Sequence, residues 1–365
     1  MSTDAAIVQG TPRAAGYRMP AEWSPHRATW IAWPHNPEDW PGKFSPIPWV
    51  YAEVVRHLAE VEDVEIVVDD DAMEGTARRA LRHAGASSTR VYFHRWPTNR
   101  VWTRDSGPIF VQRLDPRLPG PNLGLTNWKF NAWAKYDDWQ LDDQLPGHIA
   151  QDLKIPEWMP SLGDRRIVLE GGSIDVNGSG TLLTTEECLL SEVQARNPGV
   201  PREGLEAVFR EYLGVERVLW LGRGIVGDDT HGHVDDVARF VGESTIVAAV
   251  EARAHDPNHA ALAENLERLR AARTPEGGAY RVVELPMPAP VSFHGQRLPA
   301  SYANFYIANK LVLVPTFNDP NDRRALDILE GVLPGREIVG IHCRDFIWGL
   351  GTIHCMTQQQ PASPA

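Results

Sequence analysis

Cysteine is scarce. The 365-residue chain has three, Cys188, Cys343 and Cys355. An odd, irregularly spaced set is no disulfide framework, and it fits a reducing cytoplasm. Long apolar runs are missing too. None approaches the length that spans a bilayer, and Met1 to Gly16 lacks the apolar centre of a signal peptide. Positive charge is in deficit. A net charge of −12 argues against a nucleic-acid partner, whose phosphates need Lys and Arg. It points modestly toward neutral or cationic substrates. No linker-like stretch divides the chain, so residues 1–365 read as one domain. Residues 1–17 and 360–365 read as flexible ends.

What is present is ordinary globular composition, 42% hydrophobic and 23% charged, enough for a sizeable core. Thirteen Trp are many; most belong in the core, although an aromatic face also suits a cation. Periodicity predicts helices over Pro48–Val61, Asp71–Ala84 and Pro146–Leu153, and strands at Ala28–Trp33, Val64–Val68, Arg90–His94 and Ile109–Val111. Leu114 to Lys129, rich in Pro and Gly, reads as a loop.

From Arg166 onward one order of elements recurs: hairpin, helix, strand. The hairpins turn at Asn177–Gly180, Gly242–Ser244 and Ala308–Lys310. The helices run Gly204–Leu213, His259–Ala272 and Arg323–Leu333, and the strands Arg217–Leu221, Tyr280–Leu285 and Glu337–Ile341. Repeated α/β units of this kind stack or ring around a shared axis. Each carries polar residues at or just before its first strand: Asp105, Glu170, His233 with Asp235, and Asn304. Around an axis, these would converge at one end.

The chemistry can be read several ways. In an extended segment, Thr230-His231-Gly232-His233-Val234-Asp235-Asp236 puts His231, His233 and Asp235 on one face and Asp236 on the other. That is a divalent-metal array, and it resembles the zinc motif of metallo-β-lactamase-type hydrolases with Asp236 in place of the last His. Asp105 before Ser-Gly-Pro is also ordinary turn chemistry. Asn304, an amide in an apolar run, needs partners if buried. Cys188 suits core packing. Cys355 follows a glycine-flanked, β-like run, Gly349-Leu350-Gly351-Thr352-Ile353-His354. If that run is extended, His354 points away from Cys355, and His233 is the better partner for a nucleophilic thiol. A thiolate, an imidazole and carboxylates together suit a planar guanidinium, whose fork of N–H donors carboxylates accept in pairs. Trp102 is placed to cover its face.

A set of motifs then carries a resemblance: Met19-Pro20-Ala21-Glu22-Trp23, Ala32-Trp33-Pro34, Trp102-Thr103-Arg104-Asp105-Ser106-Gly107-Pro108, Phe130-Asn131-Ala132-Trp133, Leu169-Glu170-Gly171-Gly172-Ser173, Thr184-Thr185-Glu186-Glu187-Cys188-Leu189-Leu190, Gly232-His233-Val234-Asp235, Ser301-Tyr302-Ala303-Asn304 and Ile353-His354-Cys355-Met356-Thr357-Gln358-Gln359. Over about residues 17–361 the chain resembles the agmatine deiminase and bacterial-type peptidylarginine deiminase family. The resemblance implies the pentein fold, a five-bladed α/β propeller, and hydrolysis of a small cationic guanidine.

By resemblance Cys355 is the nucleophile, His233 the acid and base, Asp105 and Asp235 the guanidinium ligands, Glu170 their support, and Trp102 and Asn304 substrate-binding. It implies no metal and no organic cofactor, and a homodimer. Two departures lie near the pocket. Gly349-Leu350-Gly351-Thr352 stands where the family commonly reads Gly-Gly-Gly-Asn, and His231 precedes Gly232 where an Asp is common. Both leave the recognition of the substrate's far end open between agmatine and a peptide arginine, for which Arg104 is a candidate, although a structural ion pair is the favoured reading of Arg104. A zinc hydrolase on His231, His233 and Asp235, and a binding protein on the same fold, are the alternative readings.

Overall fold

Residues 7–363 are described by a computed structural model. Five mixed sheets of three or four strands make the framework, with two short ribbons beside them. Three sheets repeat the expected order. Asp175–Val176 and Thr181–Thr185 form an antiparallel pair, and Arg217–Leu221 joins in parallel after the helix Arg202–Leu213. Ala238–Gly242, Thr245–Val250 and Arg281–Pro286 do the same around the helix Asn258–Ala271. Tyr306–Ile307, Leu311–Thr316 and Glu337–His342 do so around Asn321–Val332. A parallel neighbour requires a crossover, and the helix in each unit supplies it.

The helix Asp71–Ala84 shows how local signals fix such elements. The Asp70 side chain accepts from Met73 N at 2.8 Å, Gly85 closes the other end at φ 74°, and Ala77, Ala80 and Leu81 form the buried stripe. Other signals were overruled. Leu123–Thr126, inside the expected loop, is a buried strand because Ile109–Gln112 pairs with it on one side and Glu157–Trp158 on the other. A strand position so determined leaves little trace in local composition.

The first sheet joins the two ends of the described chain. Its order is Gln358–Pro361, His26–Ala32, Asp63–Val68, Val91–Arg95, with the last-made strand antiparallel to its neighbour. Trp30 Nε1 donates to Gln360 Oε1 at 2.9 Å. The expectation of flexible ends is therefore corrected where it can be judged. Tyr17–Arg18 pairs with Gln112–Arg113, Ile7 bridges to Glu157, and Gln360–Pro361 are buried strand. Residues 1–6 and 364–365 of those ends lie outside the described residues. Among the described residues no helix is long and apolar enough to cross a membrane.

Where the sheets approach one another the core turns polar. Glu22 Oε1 accepts from Ile307 N at 2.9 Å, and Glu22 Oε2 meets Arg239 at 2.8 Å, His354 Nε2 at 2.8 Å and Arg104 at 3.5 Å. Arg239 also pairs with Asp175. These buried ion pairs tie together segments far apart in sequence. Burial pulls the Glu22 carboxyl up, but Arg239 and His354 hold it well below the usual range.

Candidate active site

Cys355 lies in a turn, not in an extended run. Residues 353–356 are turn, and the strand begins only at Gln358. The approach glycines are required by two indoles. A Cβ on Gly349 would come within 2.5 Å of the Trp40 ring, and one on Gly351 within 2.8 Å of the Trp102 ring and 3.0 Å of Cys355 Cβ. Between them Leu350 takes φ 68°, a left-handed conformation uncommon for leucine. The far side is anchored by Arg104 N, which donates to Cys355 O at 3.2 Å, and by Thr103 Oγ1, which donates to Met356 O at 2.9 Å.

Asn304 finds the partners its burial demands. Its Nδ2 donates to Cys355 Sγ at 3.1 Å and to Asp236 Oδ1 at 3.1 Å; its Oδ1 accepts from Thr352 Oγ1 at 2.8 Å and His354 N at 3.1 Å. Asn304 thus orients the sulfur. Asp235 Oδ2 stands 3.8 Å from Cys355 Sγ and 2.7 Å from His354 Nδ1. Both His354 ring nitrogens are engaged by carboxylates, Nδ1 by Asp235 and Nε2 by Glu22, although the extended run expected to turn it from the sulfur is not formed.

His233 caps the short helix Val234–Asp236, and Asp228 fixes it by accepting from Gly232 N and His233 N. Its Nε2 is 3.4 Å from Glu170 Oε2 and its Nδ1 is 3.8 Å from Asp105 Oδ1. Asp105 sits on the single turn Thr103–Ser106 and is held by Trp133 Nε1 at 2.9 Å and Gly172 N at 3.0 Å. Glu170 accepts from Arg196 Nε at 3.1 Å, and neither side chain is exposed. Gly172 lies against all three functional groups: a Cβ there would fall 2.6 Å from His233 Nδ1, 2.8 Å from Asp105 Oδ1 and 3.1 Å from Asp235 Oδ2. His233 Nδ1 and Asp235 Oδ1 are buried without a hydrogen-bond partner. Orphaned polar atoms of this kind call for a ligand.

Burial and the neighbouring Asp235, Asp236 and Asp105 push the Cys355 thiol well above its usual range. Burial opposes a charged His233, but Asp105 and Glu170 raise it well above the usual histidine value. Burial carries Asp105 up to about 6 against the pull of His233. Burial, Asp235 and Asp228 push Asp236 far up, and its Oδ1 accepts from Asn304. Glu170 goes down despite burial because of Arg196. The surroundings thus favour a neutral Cys355 thiol and a charged His233 imidazole.

Cys355, Asp105 and Trp102 open on one pocket of about 330 Å³. All seven residues singled out from the sequence are buried, and hydrogen bonds, ion pairs or the shared pocket wall link them. His231 is not among them. It takes φ 63°, followed by Gly232 at φ 96°, so the segment is not extended and His231, His233 and Asp235 do not share a face. Its Nε2 lies 3.2 Å from Ser191 Oγ instead. The one His/Cys/carboxylate cluster among the described residues is Glu170, Cys188 and His233, and there Arg196 already neutralises Glu170. Arg104 is in the structural ion pair that is its favoured reading. It is buried and bonded to Gln359, His354 O and Glu22, away from the pocket wall. Glu22 and Asp236 appear in the sequence only as members of motifs with no role assigned, because distant contacts create their roles.

Residues 18–361 match the Porphyromonas-type peptidyl-arginine deiminase family. The chain belongs to that family. Among relatives in this deiminase family, an agmatine deiminase of Stutzerimonas stutzeri is 38% identical over 96% of this chain and 97% of its own. A solved structure of the agmatine deiminase of Enterococcus faecalis superposes with a TM-score of 0.89 at 32% identity, covering 98% of this chain and 99% of that one. A C. jejuni agmatine deiminase variant with its cysteine replaced by serine and substrate bound gives 0.82 at 27%, covering 95% and 97%. The deiminase chain described here therefore shares their α/β fold along nearly its whole length.

Proposed function

We propose that this protein is an agmatine deiminase, a C–N hydrolase that converts agmatine to N-carbamoylputrescine and ammonia on the route to putrescine. The observation that carries it is the buried cluster of His233, Asp105 and Asp235 packed against Gly172, with Asp235 Oδ2 3.8 Å from the Cys355 sulfur and Asp105 sharing its pocket. The five sheets are inferred to stand as five blades around the Glu22 network, with the four groups at one end.

In this reading the guanidinium enters flat beneath Trp102. Asp105 and Asp235 accept its N–H groups, which satisfies the orphaned Asp235 Oδ1. Its charge offsets the carboxylates that disfavour thiolate, so the thiol gives its proton to solvent as substrate binds and the sulfur becomes nucleophilic. Cys355 Sγ bonds to the guanidinium carbon. His233 gives its proton to one nitrogen, and the C–N bond breaks with release of ammonia. The intermediate is a thiouronium on Cys355. Water then adds to the same carbon as His233 takes its proton, and the C–S bond breaks to return the thiol and leave the carbamoyl product. Glu170 orients His233 throughout.

The test is a panel of agmatine, free arginine and a peptide with C-terminal arginine, read by ammonia release. Agmatine should be hydrolysed with the highest kcat/KM; preference for the peptide would replace the reading. A pH profile adds a second check. Asp105 must be ionised to accept the guanidinium, and its value near 6 lies above the ordinary aspartate range. As pH falls through about 6, kcat/KM should drop, approaching roughly tenfold per pH unit for a single proton. A profile flat down to pH about 4.5, near the ordinary carboxylate range, would remove Asp105 from the role.

A further inference from the structure

Away from Cys355, the same pocket is walled by Glu38, Asp39, Arg100, Tyr136 and Asp229. Arg100 is the one basic residue lining it, and both its terminal nitrogens are engaged. It donates to Asp39 Oδ1 at 2.6 Å and to Asp138 Oδ1 and Oδ2 at 2.9 and 3.2 Å, and its guanidinium lies 4.3 Å from the centre of the Tyr136 ring. One cation between two carboxylates leaves a negative charge uncompensated. Asp229 is matched by Lys135 and by the Tyr136 hydroxyl. Glu38 is exposed and makes no ion pair among the described residues.

Asp39 is the distinctive group. Its side chain is 1% exposed, yet Oδ2 is buried without a partner. An ionised carboxylate with one oxygen bonded and the other orphaned is costly to bury. Burial pushes the group up to about 6 even with Arg100 beside it, as a carboxylate short of cations does. Resting on the agmatine reading, we propose that Asp39 is the receptor for the substrate's distal primary ammonium, with Arg100 fixing Oδ1 and Glu38 adding negative charge at the rim. The site then selects guanidines with a cationic tail at both ends of one pocket. A tail bearing a carboxylate meets Glu38 and Asp39 and finds no free cation in the wall.

The experiment compares agmatine with n-butylguanidine, which keeps the chain and lacks the ammonium, and with 4-guanidinobutyrate, which reverses the charge. For the unaltered enzyme, kcat/KM should fall about tenfold or more from agmatine to n-butylguanidine, the worth of a charge-assisted hydrogen bond, and further for 4-guanidinobutyrate. Asp39→Asn should shrink the agmatine-to-butylguanidine ratio by about 10–100-fold, mostly through KM. Equal use of agmatine and n-butylguanidine by the unaltered enzyme would overturn the proposal, whatever the variant's stability. So would an Asp39→Asn enzyme that slows both and keeps their ratio, since that is a purely structural role. Failure to hydrolyse either guanidine would instead overturn the deiminase reading itself.

Discussion

Replacing Cys355 by serine stops turnover: kcat for agmatine falls by about 10⁴-fold or more, as when a covalent nucleophile is lost from an otherwise intact site. The reason is specific to this pocket. Asn304 Nδ2 donates to the sulfur at 3.1 Å while Asp235 Oδ2 stands 3.8 Å away, so only a group as acidic as a thiol ionises there, and only once the guanidinium is bound. Asp105 and Glu170 favour the charged form of His233, which suits it to act as the acid at the first step. A serine hydroxyl there has neither the acidity nor the polarisability to reach the guanidinium carbon. Intact-mass measurement during turnover supplies the second readout: the parent enzyme shows a covalent adduct and the serine variant shows none. Turnover by the variant within about tenfold of the parent would place the nucleophile elsewhere.

The second large effect is expected at a residue with no functional group. Gly172→Ala introduces a methyl that meets His233 Nδ1 at 2.6 Å, Asp105 Oδ1 at 2.8 Å and Asp235 Oδ2 at 3.1 Å. All three cannot yield without opening the space between sulfur and carboxylates. Displacements of about 1 Å cost about 10²-fold in rate, and kcat/KM should fall by about 10²–10³-fold on that basis. Gly172 lies outside the left-handed region, so alanine carries no backbone penalty there. Gly171→Ala makes the control. Its methyl would collide with the Arg104 carbonyl, which is backbone and cannot rotate away. That variant should lose stability in urea titration. Gly172→Ala should keep its midpoint and lose its rate; activity within threefold of the parent would show the site to be looser than the distances indicate.

These two residues also show what a sequence discloses. Cys355 was legible because a cysteine between glycines and glutamines has few structural excuses, and because Asp105, Glu170, His233, Asp235 and Asn304 stand at equivalent places in successive units. Gly172 was visible only as half of a glycine pair. The three atoms it shelters come from turns near residues 105, 233 and 235, and nothing near Gly172 in the chain records that. The same holds for Glu22, whose four partners are spread from Arg104 to His354. The misreadings have one cause. His231 was placed on a metal-binding face by assuming period-two alternation, which two successive residues at positive φ destroy. Leu123–Thr126 was hidden by the proline and glycine around it, while strands on both sides decided its state.

The pairing of Gln358–Pro361 with His26–Ala32 has a consequence for when the protein becomes an enzyme. A growing polypeptide folds from its beginning, and the first sheet can assemble three of its strands early, leaving one edge vacant. The sulfur and the segment that seats it arrive together at that edge, after every carboxylate and the imidazole are in place. Chemistry is withheld until the closing segment docks, so interrupted translation yields inert fragments.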